Sequence, residues 1–238
     1  MAKLPPMGFT GRIDNIIHYQ MGDKFYARVA PRKFKQTKAT KLRASEFGRA
    51  STIGCAIRGL MHEAIPDPGD RKMHGRLVGV LFEWLQDFNN KPSGASRIKI
   101  IEDFCFSETN KTVRERWKVD MQLKNPSPGL VQLHIPGFLP KEMISAPAGT
   151  VSVVCRIAIG SLDIPTGKAL NKSFIELIYD FNGKPFEEQT ISIQLPTPKD
   201  CLILTGISLT YRVAKNGRES DNRNKYFMPA GIVHALYI

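Results

Sequence analysis

Long apolar runs are missing from the sequence. Its first residues, Met1-Ala2-Lys3-Leu4-Pro5-Pro6, contain none of the ~7 to 15 consecutive apolar residues that a secretory leader needs. No stretch approaches the ~20 apolar residues of a membrane-spanning helix. These absences lead us to expect a soluble, cytoplasmic protein with no membrane partner. Cysteine is scarce: four residues, at 55, 105, 155 and 201, with no Cys-x-x-Cys spacing and no histidine beside any of them. That spacing fits reduced thiols serving as small apolar side chains, and it suits neither a disulfide framework nor a metal site.

Catalytic signatures are also missing. His62-Glu63 opens like a zinc-protease helix, but Pro66 stands where the second histidine would have to be. Thr166-Gly167-Lys168-Ala169 lacks the hydroxyl ligand and the earlier glycine of a phosphate-binding loop. No Gly-x-Ser-x-Gly elbow occurs. The acidic pairs Glu102-Asp103 and Glu187-Glu188 are adjacent in sequence, which in a strand sends them to opposite faces. The expectation is a non-enzymatic protein with no catalytic residues, no cofactor and no metal.

What is present in excess is positive charge, and it is unevenly placed. The net charge of +12 comes from 34 Lys and Arg against 22 Asp and Glu. Residues 1–60 hold twelve of those cations (Lys3, Arg12, Lys24, Arg28, Arg32, Lys33, Lys35, Lys38, Lys41, Arg43, Arg49, Arg58) and three acids (Asp14, Asp23, Glu46), a surplus of nine. The other 178 residues carry a surplus of three. Such asymmetry is expected of a surface that meets a polyanion or an acidic partner. The candidate polyanion-binding or nucleic-acid-binding residues are Arg28, Arg32, Lys33, Lys35, Lys38, Lys41, Arg43 and Arg49, interleaved with Phe25, Tyr26 and Phe34.

Periodicity divides the chain. Gly11 to Pro31 reads as a β-hairpin about Met21-Gly22-Asp23-Lys24, and 31–40 as an extended basic linker. Beyond a cap at Thr37 or Thr40, Leu42, Phe47, Ala50, Ile53, Ile57, Leu60 and Met61 recur at helical spacing. Pro66-Asp67-Pro68-Gly69-Asp70 stops that helix and caps a second, whose stripe is Met73, Leu77, Val80, Leu81, Trp84, Leu85 and Phe88. Asn89 to Gly94 is the expected boundary. From there the period falls to two, with strands expected at 98–106, 117–123, 131–135, 151–159, 173–181, 189–195, 202–213 and 232–238 and a hairpin turn at Asn182-Gly183. The fold expected is α+β: a basic hairpin plus two-helix unit over 1–92, then an antiparallel β-sandwich over 97–238, immunoglobulin-like or jelly-roll, without intervening helices.

The Gly11-x-Ile13 hairpin, Tyr26-x-Arg28, and Gln36-Thr37-x-Ala39-Thr40-x-x-Arg43 leading into Phe47-Gly48-x-Ala50-Ser51 resemble the N-terminal pattern of uncharacterised proteins common in Bacteroidetes genomes. The resemblance covers about a fifth of the chain, implies a bacterial setting and carries no functional residue with it.

The function expected is a binding or assembly protein whose basic N-terminal unit docks on nucleic acid, another polyanion or an acidic protein. The rival is a homo-oligomeric structural protein whose hairpin and linker reach a neighbouring subunit. A third reading, a carbohydrate-binding sandwich, needs paired carboxylates or exposed aromatics in a cleft.

Overall fold

A computed structural model of the chain describes residues 10–32, 35–65, 70, 72–90, 98–107, 112–215, 218–222, 224 and 227–238. Two compact units emerge, Met1–Leu42 and Arg43–Ile238.

The first unit is a three-stranded antiparallel sheet, β1 (Gly11–Ile13), β2 (Ile16–Met21) and β3 (Lys24–Val29). The expected hairpin gains a strand because Asp14 adopts a left-handed φ of 46° and reverses the chain between Ile13 and Ile16, which pair. Aspartate tolerates that region better than most residues. Thr37 then caps helix α1 (Lys38–Leu60), its hydroxyl oxygen accepting a hydrogen bond from the Thr40 amide at 3.1 Å.

In the second unit the later part of α1 and helix α2 (Met73–Asn90) carry the two expected apolar stripes. Ala50, Ile53, Ile57, Leu60 and Met61 are buried, as are Leu77, Leu81, Trp84 and Leu85. Leu42 and Phe47, at the start of the first stripe, are exposed. The helices meet closely at Gly54, where a Cβ would lie 3.3 Å from a Val78 methyl. At the start of α2, Asp70 accepts the Lys72 amide at 2.9 Å and the Arg76 guanidinium at 2.5 Å.

Eight strands follow among the described residues. β6 (Thr150–Asp163) and β9 (Cys201–Lys215) form the centre of a five-stranded antiparallel sheet. β7 (Lys168–Asp180) flanks β6, while β10 (Arg218–Asp221) and β11 (Ala230–Tyr237) lie end to end along the other side of β9. A smaller sheet orders β4 (Gln122–Ser127), β5 (Leu130–Ile135) and β8 (Gln189–Gln194). One apolar cluster joins both helices to Ala158, Leu162, Leu202, Leu204 and Ile232 of the large sheet. A second joins the other side of the same strands, including Val153, Cys155, Ile157, Ile203 and Leu209, to Val131, Leu133, Ile135 and Ile193 of the small sheet. The two long helices therefore share a core with the β strands, and residues 43–65 and 73–90 fall in the same compact unit as the strands.

Four expectations change. Residues 98–106 hold a short helix, α3 (Lys99–Glu102), and a single bridge from Cys105 to Gly231 instead of a strand. Two more one-turn helices, α4 (Val113–Arg116) and α5 (Pro140–Met143), interrupt a region expected to be free of helix. Trp117, Val119 and Met121 are buried and Lys118 and Asp120 exposed, so that period of two is real, but apart from a Trp117–Ile144 bridge the segment has no ladder before Gln122. Alternation reports burial, and an extended segment can bury alternate side chains without a paired neighbour. At Asn182-Gly183, with Gly183 at φ 86°, the chain bends without closing the expected hairpin: a bridge between Phe186 and Phe138 carries it away from β7, and the next strand joins a different sheet. The α+β class holds.

Glycine chemistry gives a direct check. At Gly231 a Cβ would lie 2.7 Å from the Phe104 carbonyl oxygen, a backbone atom fixed by its bond from the Ile232 amide. Gly231→Ala should cost about 1–3 kcal/mol. Gly79, exposed in α2 with open space about it, should gain up to about 1 kcal/mol on substitution by alanine. Thermal unfolding of the two variants should move in opposite directions. A pH check comes from Asp70, whose carboxyl is held below its usual range chiefly by the Arg76 hydrogen bond, against a smaller opposing effect of burial. A depressed folded pKa gives stability that is full above the unfolded value near 3.8 and lost as pH falls through the folded one. Asp70→Asn should thus lower stability by about 1 kcal/mol at neutral pH, with the difference from wild type closing in acid.

Candidate nucleic-acid interface

The N-terminal sheet is built by two tight turns. Gly22, at φ 64°, opens the two-residue loop between Met21 and Lys24, the position at which a hairpin of this kind requires glycine. That loop sets the register: Tyr19 faces Tyr26, Ile17 faces Arg28 and Met21 faces Lys24, while Arg12 of β1 faces Ile17. Directly opposed residues share a face. One face therefore collects Arg12, Ile17, Tyr19, Met21, Lys24, Tyr26 and Arg28. The other collects Ile13, Ile16, Val29, His18, Ala27, Gln20 and Phe25.

The first face combines aromatic and cationic groups. The Tyr19 and Tyr26 rings stack with centroids 5.6 Å apart and planes 21° apart, and both remain exposed. The Arg28 guanidinium lies 5.6 Å from the centroid of the Tyr19 ring, a cation–π arrangement. Its strands place three cations and no carboxylate on this face; Asp14 and Asp23 sit in the turns. Such a surface can neutralise phosphates and offer flat rings to a base. The reverse face carries Ile13, Ile16, Phe25 and Val29, all exposed, beside His18 and Gln20.

The eight sequence-selected cations fall into different settings. Arg28 belongs to the aromatic face. Arg32, Lys35, Lys38 and Lys41 are exposed along the chain that leads from β3 into α1. Lys33 lies outside the described residues. Arg43 belongs to the second unit and pairs with Glu46 at 3.2 Å, one turn along α1. Arg49, also in the second unit, turns inward, and its terminal nitrogen donates to the Ile164 carbonyl at 3.2 Å. Composition selected these residues by charge and could not separate an arginine that braces a helix from one that meets solvent. It passed over Lys24, which shares a face of β3 with Arg28 by alternation, and Arg12 and Tyr19, which the cross-strand register brings to that face. Counting outward from the Gly22-Asp23 turn would have found Lys24 and Tyr19; Arg12 depends on the unforeseen reversal at Asp14.

Elsewhere, two clefts of about 290 and 310 Å³ flank Arg114 beside β11. Arg114 lies 3.0 Å from Asp103 and 3.8 Å from Glu102, and it donates to the Val233 carbonyl at the β11 bulge. Burial holds the neighbouring His234 imidazole below its usual pKa. These contacts tie α3 and α4 to β11, a bracing role. Glu63 of the sequence-noted His62-Glu63 pair binds Lys172 at 2.6 Å. Among the described residues no three metal-ligating side chains converge.

The contrast between Arg49 and Arg32 is measurable. Arg49→Ala should lower stability by about 1.5–3 kcal/mol, the range for a hydrogen bond from a charged group. Arg32→Ala, on an exposed residue, should leave the unfolding midpoint unchanged. No protein-family model matches the chain, and no curated protein matches it.

Proposed function

We propose that the chain is a non-enzymatic binding protein of a bacterial cytoplasm whose N-terminal sheet docks on nucleic acid, with the second unit, two sheets packed in the manner of a sandwich, as scaffold. The observation that carries the reading is the stacked Tyr19–Tyr26 pair on a face that also bears Arg12, Lys24 and Arg28. Rings favour a single strand, whose bases are free to stack, over a duplex. Lys35, Lys38, Lys41 and Arg32 follow directly in the chain and extend the positive charge. Four free thiols suit a reducing compartment.

The reverse face of the same sheet favours a second reading. Ile13, Ile16, Phe25 and Val29 stand exposed on one side of a small sheet, and an apolar face of that kind is stabilised by being covered. A homo-oligomer that buries it against a neighbour is the structural-protein alternative.

Fluorescence anisotropy with a labelled oligothymidylate across a salt series separates these. Binding should be detectable at about 50 mM salt and should weaken with a slope of roughly 0.7 per neutralised phosphate. Tyr19→Ala with Tyr26→Ala should cost about 1–3 kcal/mol per stacked base, while the Tyr→Phe pair retains affinity. No binding at low salt would overturn the reading. Equal binding of heparin, with no sensitivity to the tyrosines, would reduce it to charge alone.

A further inference from the structure

We propose that the outer edge of β7 is a two-fold interface through which two copies of this chain pair antiparallel, extending the five-stranded sheet across the dimer. β7 ends the strand order of that sheet, and among the described residues no strand pairs with its outer side. A long strand edge left open is a template for another strand. Its side chains carry the argument. On one face Ser173, Ile175, Leu177 and Tyr179 point into the core, in part or fully buried. On the other, Lys172, Phe174, Glu176, Ile178 and Asp180 are exposed, and the two apolar residues among them, Phe174 and Ile178, are 44% and 50% exposed.

The order of these residues is self-complementary. The positive charges, Lys168 and Lys172, precede Phe174; the negative ones, Glu176 and Asp180, follow it. When two copies pair antiparallel with Phe174 opposite itself, Lys172 of each faces Glu176 of the other. A β-bulge at Leu170, where Asn171 pairs with Ser161 and Ala169 with Leu162, ends the regular stretch, so the core of the pairing runs from Asn171 to Leu177. A parallel in-register arrangement would set lysine on lysine and glutamate on glutamate, and a slip of two residues would separate every charge pair. Opposite charges directly across a ladder stabilise it and like charges weaken it. The sequence thus selects one direction and one register.

Internal ion pairs prepare the surface. Arg156 holds Glu176 at 2.9 Å, and Glu63 holds Lys172 at 2.6 Å. In the dimer each cross-copy contact becomes a chain of alternating sign: Arg156 and Glu176 of one copy, then Lys172 and Glu63 of the other. An edge charged only to repel other strands carries charge of one sign; this one carries both, arranged about a centre. The contact lies on the second unit and does not rest on nucleic-acid binding.

Sedimentation velocity on the full chain tests the proposal. The wild type should be a dimer that dissociates on dilution. Lys172→Glu alone, or Glu176→Lys alone, creates two like-charge pairs per dimer and should weaken association about tenfold or more. The double variant K172E/E176K restores opposite charges across the interface and should recover the dimer, although both internal pairs stay broken; a purely structural defect would deepen instead. Circular dichroism confirms that each variant is folded, and concentration-dependent hydrogen-exchange protection of β7 amides in the wild type reads the contact without any variant. A monomer at every soluble concentration overturns the proposal. So does a dimer indifferent to both reversals, including one lost only on Ile16→Lys, which would put the contact on the N-terminal sheet.

Discussion

The second unit depends on a pair of long central strands that must be covered on both sides. β6 and β9 pair over nearly their whole length, and along β6 ten residues of fourteen are buried, leaving no solvated face. Strands of that kind read as continuous apolar runs, since each face has its own core to enter. The chain meets this demand with two different covers: the amphipathic helices on one side and the small sheet on the other. Each cover is needed because the other cannot reach past the backbone layer to the opposite side chains.

The fit of the helical cover is set by missing side chains. A Cβ at Gly160 would come 2.8 Å from a Leu60 methyl, and one at Gly206 would come 2.5 Å from the Met61 sulfur. Leu60 ends α1 and Met61 follows it, so the helix terminus is seated on two bare patches in neighbouring strands. Close packing of this kind costs about 1 kcal/mol per misplaced methyl group or more. It also explains why the helical stripe is buried only from Ala50 onward. The first turns of α1, with Leu42 and Phe47 exposed, run before that seat is reached.

Much of this was legible from periodicity. The stripes at Ile53, Ile57 and Leu60 and at Leu77, Leu81 and Trp84 reported helices because a buried face repeats every three to four residues. The alternation in 131–135 and 173–181 reported strands with one wet face. The sequence could not distinguish a buried extended segment from a paired strand, so Trp117 to Met121 reads as a ladder it does not form. Nor does local turn chemistry say where the chain goes next: at Asn182-Gly183 the chain bends and still leads to another sheet. Lys99–Glu102 is too short for a stripe to register. In the candidate site, charge was visible and geometry was not. Arg28 was found, but Arg12 is brought to its face only by cross-strand register, and Arg49 was counted as a surface cation although its guanidinium reaches the Ile164 carbonyl.

The same periodicity that identifies strands also encodes what lies on their unburied sides. In the N-terminal sheet the tyrosines and cations gather on one side, with Ile17 and Met21 among them, and Ile13, Ile16, Val29 and Phe25 on the other, beside His18 and Gln20. In β7 the exposed positions alternate charge and apolar residues with an inversion of sign at Phe174. Solubility alone requires neither arrangement; scattered lysines would serve it as well. Within each sheet a cross-strand pair is already stabilising, as the Tyr19–Tyr26 and Arg156–Glu176 pairs are, whereas a charge facing only water has no preferred neighbour. An ordered pattern along an open strand edge is therefore a stronger ground for proposing a partner than net charge is. In this chain the charges about Phe174 on β7 are self-complementary in antiparallel order, and the N-terminal sheet sets cations beside stacked rings, the feature on which we propose nucleic-acid docking.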